Sequence, residues 1–392
     1  MVIINTFKKQ TQNIHQLPSG HFLDINAYHY FNDDASQSKV KSVYIQASVH
    51  GAELQGNLVI YELHQILRQV KVLGKITMVP LANPLATNQK NGQSTQGRFN
   101  PITGDNWNRN YTDIITEKKE LTGLDLDSFC ASNSSLDDES IRQNFKIELK
   151  KALTNYRSNI VTKRGPSLNK LPNLTYQALA ADADIVLDLH TGPCATDYIY
   201  AAKYQQQLAK DLNFPFNLII PNKFAGAMDE ACFAPWLGLQ DALISKERQF
   251  HCDFEAYTLE LGNEELISSP NAKRQALRIA DYLVSRGVIE NLPVTFADLM
   301  QRPQKQIWCL LKDYCSLYAP YGGLFEYHFS PGDFIKKGQS LGRYFFLQEL
   351  DLEKNVEDLI ANKDYYLINH NISSSVHLGS TLFQCMQNFH SY

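Results

Sequence analysis

A chain of 392 residues is longer than one hydrophobic core comfortably organises, and at roughly 150 residues per domain it divides into two or three units. With 44% hydrophobic residues, 20% charged residues and a net charge of −4, it reads as an ordinary globular protein whose field recruits neither nucleic acid nor an anionic membrane. Seven scattered cysteines without a CxxC pair argue against a disulfide framework or a cysteine-built zinc knuckle, so a reduced, cytoplasmic protein is expected.

In chain order, the opening MVIINTFKKQTQNIHQLPSG lacks the apolar core and small-residue cleavage site of a secretory signal, and no run approaches the ~18 to 20 apolar residues of a membrane span. KSVYIQASV (41–49) is a β-branched, apolar run that predicts a buried strand, and ELQGNLVIYELHQILRQV (53–70) follows with helical periodicity. At their junction stand His50 and Glu53. HxxE is either polar punctuation at a strand end, with Glu53 favoured by the helix dipole, or part of a metal site, for which two histidines and one carboxylate are a recurrent set. Sites in open α/β sheets form outside the carboxyl ends of strands, and His50 occupies such an end.

GKITMVPLAN (74–83) predicts a second strand, and QGRFNPITGDNWNRNY (96–111) a long polar loop carrying Arg98, Asn108 and Arg109. Long irregular loops in compact domains are commonly functional, and arginine binds carboxylates bidentately or stabilises an oxyanion; the other reading is that these residues pin the loop. Residues 113–140, rich in Asp, Ser and Glu, are expected to be a solvated insertion, with DESIRQNFKIELKKALTNY (138–156) a helix.

DIVLDLHT (184–191) predicts a strand in which Asp188 and His190 share a face, broken at once by Gly192 and Pro193, so that His190 sits at the rim. Asp188 either orients an imidazole or is a buried polar group satisfied by backbone. FNLIIP (216–221) and FEAYTLELG (254–262) are further strand candidates, and SPNAKRQALRIADYLVSRG (269–287) a helix opened by Ser269 with Pro270 behind it and closed by Gly287. Glu260 lies in the second of those apolar runs, where an unpartnered carboxylate costs several kcal/mol, so either a general base facing a metal-bound water or an internal ion pair accounts for it. Glu264 and Glu265 read as solvated loop residues.

Strands alternating with helices predict an α/β layer fold with a mostly parallel, mixed sheet flanked by helices. Past Pro293 and Pro303 the texture changes to short strand candidates with glycine turns, as in YAPYGGLFEYHFSPGDFIKKGQSLGRYFF (318–346), which predicts a small C-terminal all-β domain. The expected domains are 1–295 and 296–392.

HxxE, then an Arg…Asn-Arg loop, a strand-end histidine and a glutamate in a later strand, in that order, resemble the zinc carboxypeptidase superfamily. Within it, HGAE, NRNY, DLHTGP and TLELG resemble the succinylglutamate desuccinylase/aspartoacylase family over about residues 40–290. The resemblance implies a zinc carboxypeptidase-like fold and one Zn2+ held by His50, Glu53 and His190. It further implies Glu260 as general base, Arg98 polarising the scissile carbonyl, and Asn108 with Arg109 holding a substrate carboxylate; Tyr257 is a candidate for a tyrosine that some relatives carry near the base. The C-terminal stretch PGDFIKKGQSLG (331–342) resembles the β-sandwich appended to the family and related to biotinyl and lipoyl carriers, but FLQELDLEKNVEDL lacks a carrier's pattern around Lys354, so a structural or substrate-shaping module is expected. The expected function is a zinc-dependent amidohydrolase acting on an N-acyl amino acid or related small carboxylated amide. A metallocarboxypeptidase acting on peptides and a non-catalytic metabolite-binding or carrier protein are the competing readings. The expected partner is the small-molecule substrate, with no nucleic acid and no membrane; a homo-oligomer is left open.

Overall fold

The computed structural model describes residues 5–31, 40–95, 97–163, 165–297, 303, 305–350 and 355–391, so Lys354 lies outside the described residues. The longer elements, in chain order, begin with strands β1 (Thr6–Gln16), β2 (Phe22–Phe31) and β3 (Val43–Ala47), helix α1 (Gln55–Leu67) and strand β4 (Ile76–Val79). Helices α2 (Leu126–Asn133), α3 (Asp138–Lys163) and α4 (Lys170–Ala180) precede strands β5 (Ile185–Gly192), β6 (Asp197–Ala202) and β7 (Phe216–Ile220). Helix α5 (Met228–Ile244), strand β8 (Glu255–Asn263), helix α6 (Ser269–Ser285) and strand β9 (Ile307–Leu310) follow. Among the described residues, no helix is long and apolar enough to cross a membrane.

The chain forms two compact units, of residues 1–190, 222–258 and 267–301 and of residues 191–221, 259–266 and 302–392. The division expected at 295/296 follows chain order, whereas these units cross it: two earlier segments belong with the C-terminal one, and the boundary falls inside β5 and inside β8.

In the first unit the strands run in the order β1-β2-β4-β3-β5-β8. β1 and β2 form an antiparallel hairpin, β2 pairs antiparallel with β4, and β3 runs parallel to both β4 and β5. Every residue of β3 and β4 is buried, as is all of β5, because helices cover a parallel sheet on both faces and select continuous apolar runs. The N-terminal hairpin had no counterpart among the expected strands: of β1, only Ile14 is buried, so its sequence carries hardly any apolar alternation.

α6 starts one residue away from the expected cap. Ser268, not Ser269, is its N-cap and accepts the Asn271 N–H, while Pro270 sits in the first turn and Gly287 closes the helix at φ +68°. α1 packs on α6, and the join is polar at one point, where the Gln55 amide donates to Gln275 Oε1 at 2.9 Å and to the Ser268 carbonyl at 3.1 Å. The expected solvated insertion at 113–140 instead contributes to the core. Ile114, Leu121, Leu124, Phe129 and Cys130 are buried, and Phe129 contacts Phe145 of α3, which meets Trp236 of α5. Its acidic residues hid these apolar positions: Asp125 caps α2 by accepting the Ser128 N–H, and Asp127 lies in that helix's first turn.

Glu255, at the start of β8, has a fully buried side chain surrounded by donors. Arg286 grips it through Nε (2.8 Å to Oε1) and Nη2 (3.0 Å to Oε2), Lys41 lies 3.0 Å from Oε1, and the hydroxyls of Tyr257 and Tyr282 donate to Oε2. Burial alone would raise the Glu255 pKa, but the hydrogen bonds and charges of Arg286 and Lys41 prevail and lower it. A carboxylate with a depressed folded pKa stabilises the fold above its unfolded pKa, 4.5, and that contribution is lost as the pH falls through the folded value. Arg286→Met, which keeps an unbranched apolar stem but removes the guanidinium that lies over the Tyr282 ring and grips Glu255, is therefore expected to cost about 3 kcal/mol at pH 7, the low end for a broken buried pair, with the deficit narrowing in acid. Chemical denaturation at both pH values checks it.

In the second unit β6, β7 and β9 run parallel, with Phe216 opposite both Tyr198 and Ile307, so β9 joins the α/β strands of this unit rather than a separate β module. The expected all-β region follows as two antiparallel layers. One orders the strands Tyr314–Tyr318, Thr381–Met386, Tyr365–His370 and Phe334–Ile335; the other orders Val356–Ile360, Ser340–Phe345, Gly323–Tyr327 and Ser375–Val376. Phe325, Ile335, Leu341, Leu367 and Phe383 fill the core of this region.

Candidate metal centre

The turn between β3 and α1 is held in a shape that helix and strand propensity alone would not produce. Ser48 sits at φ +60° and donates through Oγ to Asn57 Oδ1, while Asn83 donates to the Val49 carbonyl. α1 then presses on β5 because Gly56 has no side chain: a Cβ there would stand 2.9 Å from Leu189 Cβ and 3.0 Å from Ala47 Cβ. Two backbones meeting this closely bring Glu53, on the turn, against His190, near the end of β5.

His50, Glu53 and His190 are 4%, 1% and 2% exposed, and their candidate ligand atoms lie within 4.8 Å of one another. Glu53 sits between the imidazoles, with Oε1 2.7 Å from His50 Nδ1 and Oε2 2.7 Å from His190 Nδ1. The far nitrogens are occupied. His50 Nε2 lies 2.9 Å from Asn106 Oδ1, an oxygen that also accepts the Asn108 N–H, so this nitrogen carries the proton. His190 Nε2 lies 2.8 Å from Asp188 Oδ2. Asn108 Nδ2 is 3.2 Å from the same nitrogen, but its Oδ1 accepts the Met228 N–H, which orients the amide and makes Nδ2 a donor facing a donor.

With both Nε2 atoms protonated, each neutral imidazole turns an Nδ1 lone pair toward a carboxylate. Three converging lone-pair donors in a buried space could hold a metal cation among them, and two nitrogens with one carboxylate oxygen are a recurrent metal donor set. Burial would raise Glu53, but His50 and His190 hold it far below the usual carboxylate range; burial would lower His190, but Asp188 and Glu53 hold it well above the usual imidazole range.

The loop at 97–111 is pinned to this centre. The Gly51 N–H donates to the Gly97 carbonyl, the Trp107 N–H to the Arg98 carbonyl, and Asn173 to the Arg109 carbonyl. Arg98, its side chain 41% exposed, reaches to 3.7 Å from Glu53 Oε1. Asn108 is buried, whereas Arg109 is exposed and donates from Nη1 to the Asn108 carbonyl. Loop pinning and proximity to the centre thus both hold, for different atoms of the same residues.

Glu260 is described with the second unit, where it is buried and its charge adds to the burial that raises the Tyr198 and Tyr314 hydroxyls. Tyr257 is fully buried in the first unit and donates to Glu255. Sequence reasoning missed Asn106; its signal was present in NWNRN, where asparagines alternate in a loop already suspected of function. It also missed Asp229, buried in the first turn of α5 and pushed up to about 7 first by burial and then by the charges of Glu230 and Asp188.

Residues 39–285 match the family described as the succinylglutamate desuccinylase/aspartoacylase catalytic domain. Among solved structures, the chain is similar to a protein of Shewanella frigidimarina NCIMB 400 bearing that family's name, at 36% identity and TM-score 0.89 over 99% of each chain. A family protein of Shewanella amazonensis SB2B is 36% identical at TM-score 0.88, over 98% of this chain and all of that one. The ectoine utilization protein of Ruegeria pomeroyi, in a product-bound structure, shares the fold at TM-score 0.63 and 15% identity, over 98% and 96% of the two chains. Among curated proteins, none matches.

Proposed function

The chain belongs to the succinylglutamate desuccinylase/aspartoacylase family, and from that premise we propose that it is a zinc-dependent amidohydrolase that removes the acyl group from an N-acyl amino acid or a related small carboxylated amide. The observation that carries this reading is the buried convergence of His50 Nδ1, Glu53 and His190 Nδ1 with both Nε2 atoms already committed. Zinc bound by these three residues supplies a Lewis acid that lowers the pKa of a water to ~7 and polarises an amide carbonyl.

The chain's own residues do the rest. Glu260 accepts the proton of the attacking water and delivers it to the departing amine. Arg98, charged and half-exposed beside Glu53, donates to the oxygen on which charge develops. Arg109, with its guanidinium at the surface, and Asn108, whose Nδ2 gains no acceptor from a protonated His190 Nε2, hold the substrate carboxylate.

These roles separate kinetically. Arg98→Ala is expected to lower kcat by on the order of 10² to 10³, because its interaction is strongest in the transition state. Arg109→Ala is expected mainly to raise KM for a carboxylated substrate, leaving kcat nearly unchanged. Steady-state kinetics of both variants reads this out, and the reverse pattern exchanges the roles.

The deciding experiment is a hydrolysis screen of the zinc-loaded protein against N-succinyl, N-acetyl and N-formyl amino acids together with short peptides. Turnover of an N-acyl amino acid supports the assignment. Turnover of peptides alone replaces it with a carboxypeptidase, and no turnover of any amide overturns it.

A further inference from the structure

The strand face that carries Asp188 and His190 continues onto β3. Gln46 is the register partner of Asp188 in the parallel pairing of β3 with β5, so the two side chains stand on the same face, with Tyr44 two residues back along it. Gln46 and Tyr44 are fully buried. The Gln46 amide nitrogen donates to Asp188 Oδ1 at 2.9 Å, and its oxygen accepts the Tyr44 hydroxyl at 2.9 Å.

A glutamine in the middle of an otherwise apolar central strand costs the desolvation of its amide unless every polar atom is matched. Here both ends are matched, in an order that has a consequence. The ionised Asp188 carboxylate can only accept, so it selects the nitrogen end of the amide, and the oxygen left at the other end accepts the Tyr44 hydroxyl. Were the amide reversed, its oxygen would confront a carboxylate.

Asp188 needs such a constraint. The terminal torsion of an aspartate is broad, and a carboxylate held by one oxygen swings easily. Its Oδ2 faces His190 Nε2 at 2.8 Å, and Gln46 holds the other oxygen. Because the holding group is a neutral amide rather than a lysine or arginine, it fixes the carboxylate without supplying a competing positive charge.

We propose that Gln46 is a positioning residue of the metal centre: anchored at its oxygen by Tyr44, it locks the Asp188 carboxylate so that Oδ2 receives the His190 Nε2–H, which keeps the lone pair of His190 Nδ1 turned toward a bound ion. The proposal rests on the zinc reading above. Partners that orient metal-bound histidines are commonly worth 10- to 100-fold in metal affinity, and Gln46 acts one bond further out.

The test compares zinc dissociation constants of the wild type, Gln46→Met and Tyr44→Phe, by competition with a chromogenic chelator, alongside thermal melting of the metal-free proteins. Gln46→Met keeps the length of the side chain and removes the donor; it is expected to weaken zinc binding by on the order of tenfold. Tyr44→Phe keeps the ring, leaves the Gln46 amide oxygen without its Tyr44 donor so that the side chain is held at one end only, and is expected to weaken binding by a smaller factor. A merely structural role would lower the melting temperature and leave the dissociation constant where it was. Folded variants that bind zinc as tightly as the wild type overturn the role of Gln46; should Gln46→Met fail to fold, Tyr44→Phe decides alone. A wild-type protein that binds no zinc overturns the underlying reading and this role with it.

Discussion

Glu260→Gln is expected to retain zinc and lose between roughly 10² and 10⁴ in turnover. The substitution keeps the size of the side chain and part of its hydrogen bonding while removing its capacity to accept a proton. Glu260 is a buried carboxylate in a strand with many apolar residues, and the proposed general-base role gives it a chemical reason to be there. The acidic limb of the wild-type kcat/KM profile should report a base in the free enzyme, as the apparent constant of a pair, since water and carboxylate titrate together. Metal analysis, circular dichroism and kinetics on the best substrate from the screen are the measurements. A folded, zinc-bearing Glu260→Gln protein with wild-type turnover would sink the mechanism.

His190→Ala is expected to abolish activity and to drop metal content well below one zinc per chain. It removes one of the three proposed ligands, and it also leaves Glu53, 1% exposed, with one imidazole where it had two. The second effect gives the variant a distinguishing mark in the metal-free state. Uncovering part of a buried carboxylate's compensation destabilises by about 3 to 5 kcal/mol, so metal-free His190→Ala should melt below the metal-free wild type. Stoichiometric zinc in this variant would refute the ligand assignment.

The parts of the structure that could be read in advance are those where one physical demand dominates the sequence. β3, β5 and most of β8 are buried and therefore appear as apolar runs broken by only a few polar residues, and α6 shows a capped, amphipathic pattern from Ser268 to Gly287. His50, Glu53 and His190 could be suspected because polar residues at buried strand ends need a reason. The rest was masked by mixed demands. β1 has one buried side chain, so its partnership with β2 leaves almost no periodic trace. Residues 113–140 combine surface acids with a few core apolar positions, and average composition reports the acids. Asn106 and Gln46 depend on loop closure and on strand register, which tertiary structure decides and local sequence does not. The grouping of 191–221 and 259–266 with the C-terminal residues is of the same kind, since no local property marks where one compact unit hands the chain to another.

The glycine at position 56 gives the candidate metal centre a fixed gauge. Side chains in a core are exchangeable currency between generations: a lost methyl at one position can be made up by a larger neighbour, and the spacing of the surrounding elements drifts as this happens. The separation of the turn bearing Glu53 from the strand bearing His190 is not open to that drift, because α1 already rests against Leu189 and Ala47 with nothing between them to shrink or grow. The gauge of the site is thus set by a mechanical stop between the helix backbone and two Cβ atoms rather than by the fit of larger side chains.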